Sequence, residues 1–201
     1  MKKMQPFNRY TGTDADTSER RMPVSVLDTR SSPRSLGELM GRLEEYSQNQ
    51  DKWHAEYPWA KRFVMGYPLP SWQRPLVWTE AQKVRFIISL WEEVDVGSYL
   101  LNDQFELVRG VYREFSEVLL DGQQRLSALQ SYLCGEFAVP DAKGVPCYWH
   151  ELSRVERRFF SNRTFARAGV RSWDEAQLRR AYDLRSFGGT PHKESERASK
   201  V

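Results

Sequence analysis

No apolar run in this chain approaches the roughly 20 residues that a membrane-spanning helix needs. The first residues, MKKMQPFNRYTGTDADTSERR, carry two lysines at the start but no apolar stretch behind them, so they are not a secretory signal. Cysteine is scarce, with only Cys134 and Cys147. That excludes a disulfide-built scaffold and suits a reducing compartment. Two small buried thiols are the expected state, a single disulfide the alternative, and the cytoplasm the expected address. Histidine is scarce too. His54, His150 and His192 are scattered without the spacing of a zinc site.

What is present describes a polar globular protein. The 201 residues suffice for one domain with its own core. Hydrophobic residues make up 40% and aromatics 13%, yet the mean hydropathy is -0.68. The net charge of +3 is unevenly spread. Residues 36–152 hold 11 bases and 17 acids, whereas residues 153–201 hold 12 bases and 6 acids. A basic terminal quarter is a footprint for nucleic acid, with Arg157, Arg158, Arg179 and Arg180 as its candidate contacts. A solvated arginine-rich helical surface has the same composition.

Residues 1–34 lack apolar periodicity and read as a mobile or loosely docked arm, followed by a single domain over 35–201. Ser35 and Glu38 make a capping-box pattern ahead of a helix whose Leu36, Leu39, Met40 and Leu43 share a face. Pro68, Pro70 and Pro75 forbid a helix in the next, aromatic-rich segment. Thr79 and Gln82 open a second helix with Val84, Ile87, Ile88, Trp91 and Val94 at helical spacing. Val96 to Leu101, residues 105–112 and residues 116–121 read as strands. A helix with Leu126, Leu129 and Leu133 follows, and Ser153/Glu156 and Ser172/Glu175 open two more. The alternation predicts an α/β fold, a small mixed sheet with helices packed around it.

Three polar stretches do not fit a plain core. The first is LLDGQQRL, residues 119–126, where a strand gives way to a helix. Asp121 as N-cap and Gln124 three residues on would form a capping box. That leaves Gly122, a poor first helical residue, and Arg125, a cation opposed by the helix dipole by about 0.3–1 kcal/mol. An anion held by the free amides and Arg125 would account for both. On this reading Arg125 costs the fold a little, and alanine in its place should leave stability intact. The second stretch is PSWQRPLVW, residues 70–78, where Gln73 and Arg74 lie between prolines and tryptophans. They can complete a phosphate clamp, or Trp72 and Trp78 can be core rings with Arg74 stacked on one. The third is SFGGTPH, residues 186–192, whose glycine pair, Thr190 and His192 suit a phosphate loop or an ordinary turn.

In order, PSWQRPLVWTEAQ, VGSYLLN and LLDGQQRLSAL resemble the DGQQR-signature domains of the ParB/sulfiredoxin-like superfamily. The N-terminal part of GmrSD-type restriction enzymes is one of these. The resemblance runs from about Ser35 to the GGTPH turn and implies the ParB-like form of the mixed fold. It also implies a nucleoside triphosphate pocket lined by Asp121, Gly122, Gln123, Gln124 and Arg125, with Gln73 and Arg74 opposite, and Thr190 and His192 nearby. Ser186 stands where relatives often have asparagine. Hydrolysis with magnesium is the implied activity, in a DNA-directed, phage-defence or phage-encoded process. Asp121 would organise the loop, hold magnesium or orient water, and Gln123 or Gln124 would position the attacking water. Because GmrSD-type enzymes continue into a nuclease module and these residues supply none, a separate nuclease or other subunit is an expected partner. Two alternatives remain open. One is a ParB-like DNA nickase, for which Glu92, Glu93 and Asp95 are the only dense acids; the other is a non-catalytic DNA- or partner-binding protein using the pocket as a switch.

Overall fold

The computed structural model describes residues 22–25 and 27–187. In chain order the elements begin with β1 (Arg30–Ser32), α1 (Leu36–Gln48) and α2 (Gln50–Glu56). A small hairpin follows, β2 (Phe63–Val64) and β3 (Tyr67–Pro68), and then α3 (Glu80–Trp91) and β4 (Ser98–Asn102). A second hairpin, β5 (Leu107–Val108) and β6 (Val111–Tyr112), precedes β7 (Leu119–Asp121) and α4 (Gln123–Leu133). A third, β8 (Val139–Pro140) and β9 (Pro146–Cys147), leads to α5 (Arg154–Ser161), β10 (Ala166–Val170) and α6 (Glu175–Phe187). The fold is therefore mixed α/β.

The main sheet has the order β1-β10-β4-β7. β10 runs parallel to β4, and the outer pairs β1–β10 and β4–β7 are antiparallel. Side chains alternate across a strand, so consecutive apolar residues serve two cores. Tyr99, Leu101 and Leu119 join Leu39, Ile87, Leu126 and Phe160 on the side that carries α1, α3, α4 and α5. Leu100, Leu120, Ala168 and Val170 join Leu178 of α6 on the opposite side. This two-sided burial explains the uninterrupted apolar runs YLL and VLL at the sheet centre.

Helix starts follow their caps. Thr79 and Ser153 form full capping boxes with Gln82 and Glu156. Ser35 accepts from the Glu38 N–H, but the Glu38 carboxylate turns to Arg34 at 3.1 Å. At α6 the cap moves from Ser172 to Asp174, whose Oδ1 accepts from the Ala176 N–H at 2.8 Å, while Ser172 Oγ accepts from the Asp174 N–H.

Several expectations are corrected. Val94 lies beyond the end of α3 and is exposed. Residues 105–112 form a hairpin turning at Arg109-Gly110 instead of one strand, with Leu107, Val108 and Val111 exposed. The strand expected over 116–121 is only three residues long, because Phe115 and Glu117 adopt the left-handed region (φ 70 and 49), which breaks a ladder. Cys134 is exposed and Cys147 half-buried, both free thiols and not core residues. β1 lies within the segment read as an arm, and α2 and β10 are elements that periodicity did not announce. Among the described residues no helix is long and apolar enough to cross a membrane.

Candidate functional site

The site grows from the junction of β7 and α4. β7 ends at Asp121, whose Cα pairs with that of Leu100 on β4. Gly122 then turns the chain with φ 97 and ψ 7 and serves as the N-cap of α4. A Cβ at this position would lie 2.7 Å from the Tyr99 Cβ, so glycine is required by both conformation and space. This corrects the expected cap: Asp121 is the last strand residue, Gly122 is the cap and not the first helical residue, and no side chain caps α4. The N–H groups of Gln123, Gln124 and Arg125 accordingly have no partner among the described residues.

The glutamines stitch the proline-rich segment to this junction. Gln124 is buried; its Oε1 accepts from the N–H groups of Val77 (3.0 Å) and Trp78 (3.2 Å), and its Nε2 donates to the Pro75 carbonyl (3.0 Å). It is not the second half of a capping box. Gln73 is also buried, and its Nε2 donates to the carbonyls of Leu119 and Leu120. Its Nε2 is used inside the protein, and Gln73 does not line the cleft beside Arg74 as half of a clamp. Buried carbonyls of an irregular segment need such donors, which is why amides occupy these positions. Gln123 differs. Its Nε2 donates to the Arg74 carbonyl at 2.8 Å, but its Oε1, buried in the wall of the cleft, has no partner among the described residues.

Three guanidiniums converge here. Arg125 is largely buried, with Nη1 donating to the Val96 carbonyl (2.8 Å) and Nη2 to the Ser98 carbonyl (3.1 Å). Its Nη2 also lies 3.3 Å from Asp121 Oδ2. Arg185, from α6, puts Nε 3.1 Å from the same oxygen and donates to the carbonyl and hydroxyl of the same Ser98. Burial pushes the Arg125 guanidinium below the ordinary arginine value; Asp121 opposes this and Arg185 adds to it. Arg74 is exposed and makes no hydrogen bond or ion pair with any described residue. Together with Trp78, Tyr182, Ser186 and the 121–125 turn, these arginines line a polar cleft of ≈ 240 Å³. Among the described residues three cations and one carboxylate line the cleft, beside first-turn residues whose N–H groups have no partner.

The cleft thus unites Asp121, Gly122, Gln123, Gln124, Arg125 and Arg74. Gln73 lies behind it, and Thr190 and His192 fall outside the described residues. Arg185 was missed in the sequence because α6 carries several arginines, and only packing selects the one that reaches β7. Trp78 lines the cleft, whereas Trp72 packs against Tyr182 with centroids 5.2 Å apart, under Arg179. The four arginines expected to form one basic patch are divided. Arg157 and Arg158 lie on α5, on one side of the sheet; Arg179 and Arg180 lie on α6, on the other. Arg179 is further engaged by Glu175 at 2.7 Å.

A protein-held magnesium ion does not fit this site. Asp121 is already bracketed by two guanidiniums, and among the described residues no group of three His, Cys, Asp or Glu side chains converges. Two of the three acids near the end of α3 are engaged locally: Glu93 pairs with Arg163, and Asp95 Oδ1 accepts from the Gly97 N–H at 2.8 Å.

No curated protein and no solved structure matches the chain significantly. The family model of the GmrSD restriction endonuclease N-terminal domain matches residues 60–197, well over half of the chain and inclusive of both glutamine-arginine stretches. The chain belongs to the family of GmrSD restriction endonuclease N-terminal domains.

Proposed function

We propose that the cleft at the β7–α4 turn binds the phosphates of a nucleoside triphosphate and promotes its hydrolysis, in a DNA-directed restriction or phage-defence process. The family supports the process, since it is described as the N-terminal domain of a restriction endonuclease. The observation that carries the binding reading is the charge excess: Arg74, Arg125 and Arg185 around the single carboxylate of Asp121, beside unpaired first-turn amides. Such an arrangement is costly until an anion fills it and favourable afterwards. Arg74, which has nothing to give up among the described residues, is the principal phosphate ligand. Arg125 and Arg185 are held in place by Ser98 and Asp121 and present their remaining N–H groups.

For hydrolysis, water attacks the terminal phosphorus and the bond from that phosphorus to the bridging oxygen breaks, releasing nucleoside diphosphate and inorganic phosphate, with the water's proton passing to phosphate oxygen or solvent. The charge spreading over the phosphoryl oxygens is stabilised by the guanidiniums and amides. Of the two glutamines Gln123 is the candidate to orient that water once its amide rotates toward the cleft, because its buried Oε1 has no partner among the described residues while both polar atoms of Gln124 are in use. No protein ligand is assigned to a magnesium ion carried by the triphosphate.

The test is titration with each ribonucleoside triphosphate and with inorganic tripolyphosphate, together with release of radiolabelled phosphate. Binding of both ligand types that is lost in Arg74→Ala is the expected result. Wild-type protein that binds neither, at low salt and with magnesium present, refutes the reading.

A further inference from the structure

α5 is an eight-residue helix anchored by Phe160, which is fully buried against Trp91, Trp149 and Tyr132. Its outward face is unusual. Val155 is 62% exposed and Phe159 60% exposed, one turn apart. Beside them, also one turn apart, Arg154 and Arg158 are exposed and form no ion pair with any described residue. Arg157, on the flank toward the body, donates to the His150 carbonyl at 2.7 Å and lies over the Trp149 ring. The three arginines, with Met40 of α1, Val155 and Ser161, line a cleft of ≈ 540 Å³ that has no carboxylate in its lining among the described residues.

We propose that this face of α5 is a docking surface for double-stranded DNA. Its arginines would take backbone phosphates, and Val155 and Phe159 would press into the groove between them. The proposal rests on the DNA-directed part of the reading above and is independent of the nucleotide cleft. The commitment to DNA comes from charge complementarity. Three cations without a counter-charge in one cleft match a polyanion, and two neighbouring arginines on one helix face can hold phosphates of one strand. An exposed phenylalanine set beside arginines is also the pairing that groove-binding proteins use, where an apolar wedge enters between base steps. The arginines of α6 are excluded from this surface, since they lie on the other side of the sheet and Arg179 is tied to Glu175 and Trp72.

Fluorescence anisotropy of the full chain with a labelled duplex, across a salt series, tests this. Each phosphate contact contributes a slope of about -0.9 on a log–log plot, so Arg154→Gln/Arg158→Gln should flatten the slope by about 1.8. Phe159→Ser should weaken binding several-fold with the slope unchanged, because it removes no charge. All three positions are exposed, so the variants retain the fold. Arg179→Gln/Arg180→Gln is the opposite-face control and should leave the slope as it was. Normal tripolyphosphate binding by the α5 variants would show that the cleft is unaffected. The proposal is overturned by absence of duplex binding at low salt, by a slope that survives the α5 double substitution, or by equal flattening in the α6 control. It is likewise overturned if Val155 and Phe159 mediate self-association, seen in sedimentation, without any DNA affinity.

Discussion

Alanine at Arg74 and alanine at Arg125 should remove phosphate affinity to a similar degree while differing sharply in stability. Hydrogen bonds from a charged donor contribute about 1.5–3 kcal/mol each. Removing Arg125 deprives the Val96 carbonyl of its side-chain donor and takes one of two donors from Ser98 and from Asp121, which keep Arg185. Relief of the unfavourable helix dipole returns about 0.3–1 kcal/mol. With the Val96 bond counted in full and the two shared bonds at about half, the net loss is about 2–6 kcal/mol, which for a domain of this size lowers the melting midpoint by roughly 4–24 °C. Arg74 is exposed and its guanidinium makes no bond among the described residues, so Arg74→Ala should move stability by no more than about 0.5 kcal/mol. Each variant should bind tripolyphosphate roughly ten- to a hundredfold more weakly. Thermal melts, followed by titrations well below both midpoints, measure the two effects separately. An Arg125→Ala protein with an unchanged midpoint would refute the tethering role drawn from its contacts. An Arg74→Ala protein with normal affinity would refute the phosphate cleft.

Gly122→Ala should be severely destabilising, since the left-handed turn and the 2.7 Å approach to Tyr99 act together; circular dichroism melts read this directly. Gln73→Ala should lower stability by about 1–3 kcal/mol in denaturant titration, because two buried carbonyls lose their donor. Burial pushes the hydroxyls of Tyr57 and Tyr99 well above the ordinary tyrosine value, with Glu117 adding to the effect at Tyr57. The unfolded chain therefore loses these protons first, so stability should be complete below about pH 10 and fall above it. Tyr99→Phe should lessen the alkaline loss, and a pH-independent stability up to pH of about 12 would contradict the burial argument. If triphosphate quenches tryptophan fluorescence, Trp78→Phe should abolish the response and Trp72→Phe should preserve it, because only Trp78 lines the cleft.

Local signals in the chain carried a good part of this architecture. Capping at Thr79 and Ser153, the helical spacing of Val84, Ile87 and Trp91, and the placement of LLDGQQRL across a strand–helix junction are all short-range properties, set by neighbours within one or two turns. The family was legible for the same reason, since its motifs are contiguous. The fate of each polar side chain was not. Asp121 looked like a cap until the positive φ of Gly122 took that position, and Gln73 looked like a ligand until the carbonyls of Leu119 and Leu120 claimed its amide. The Gln73 outcome depends on groups 46 and 47 residues away in the chain. β1 and β10 were missed because short strands without alternation exist only through their partners. Likewise, nothing local distinguishes Arg185 from Arg179 and Arg180. Packing α6 across the sheet turned one toward Asp121 and the others away, and it put α5 on the opposite side, dividing a basic segment that is continuous only in sequence. Local propensity assigns elements, but the direction of a long charged side chain is settled by which surfaces the elements bury against each other.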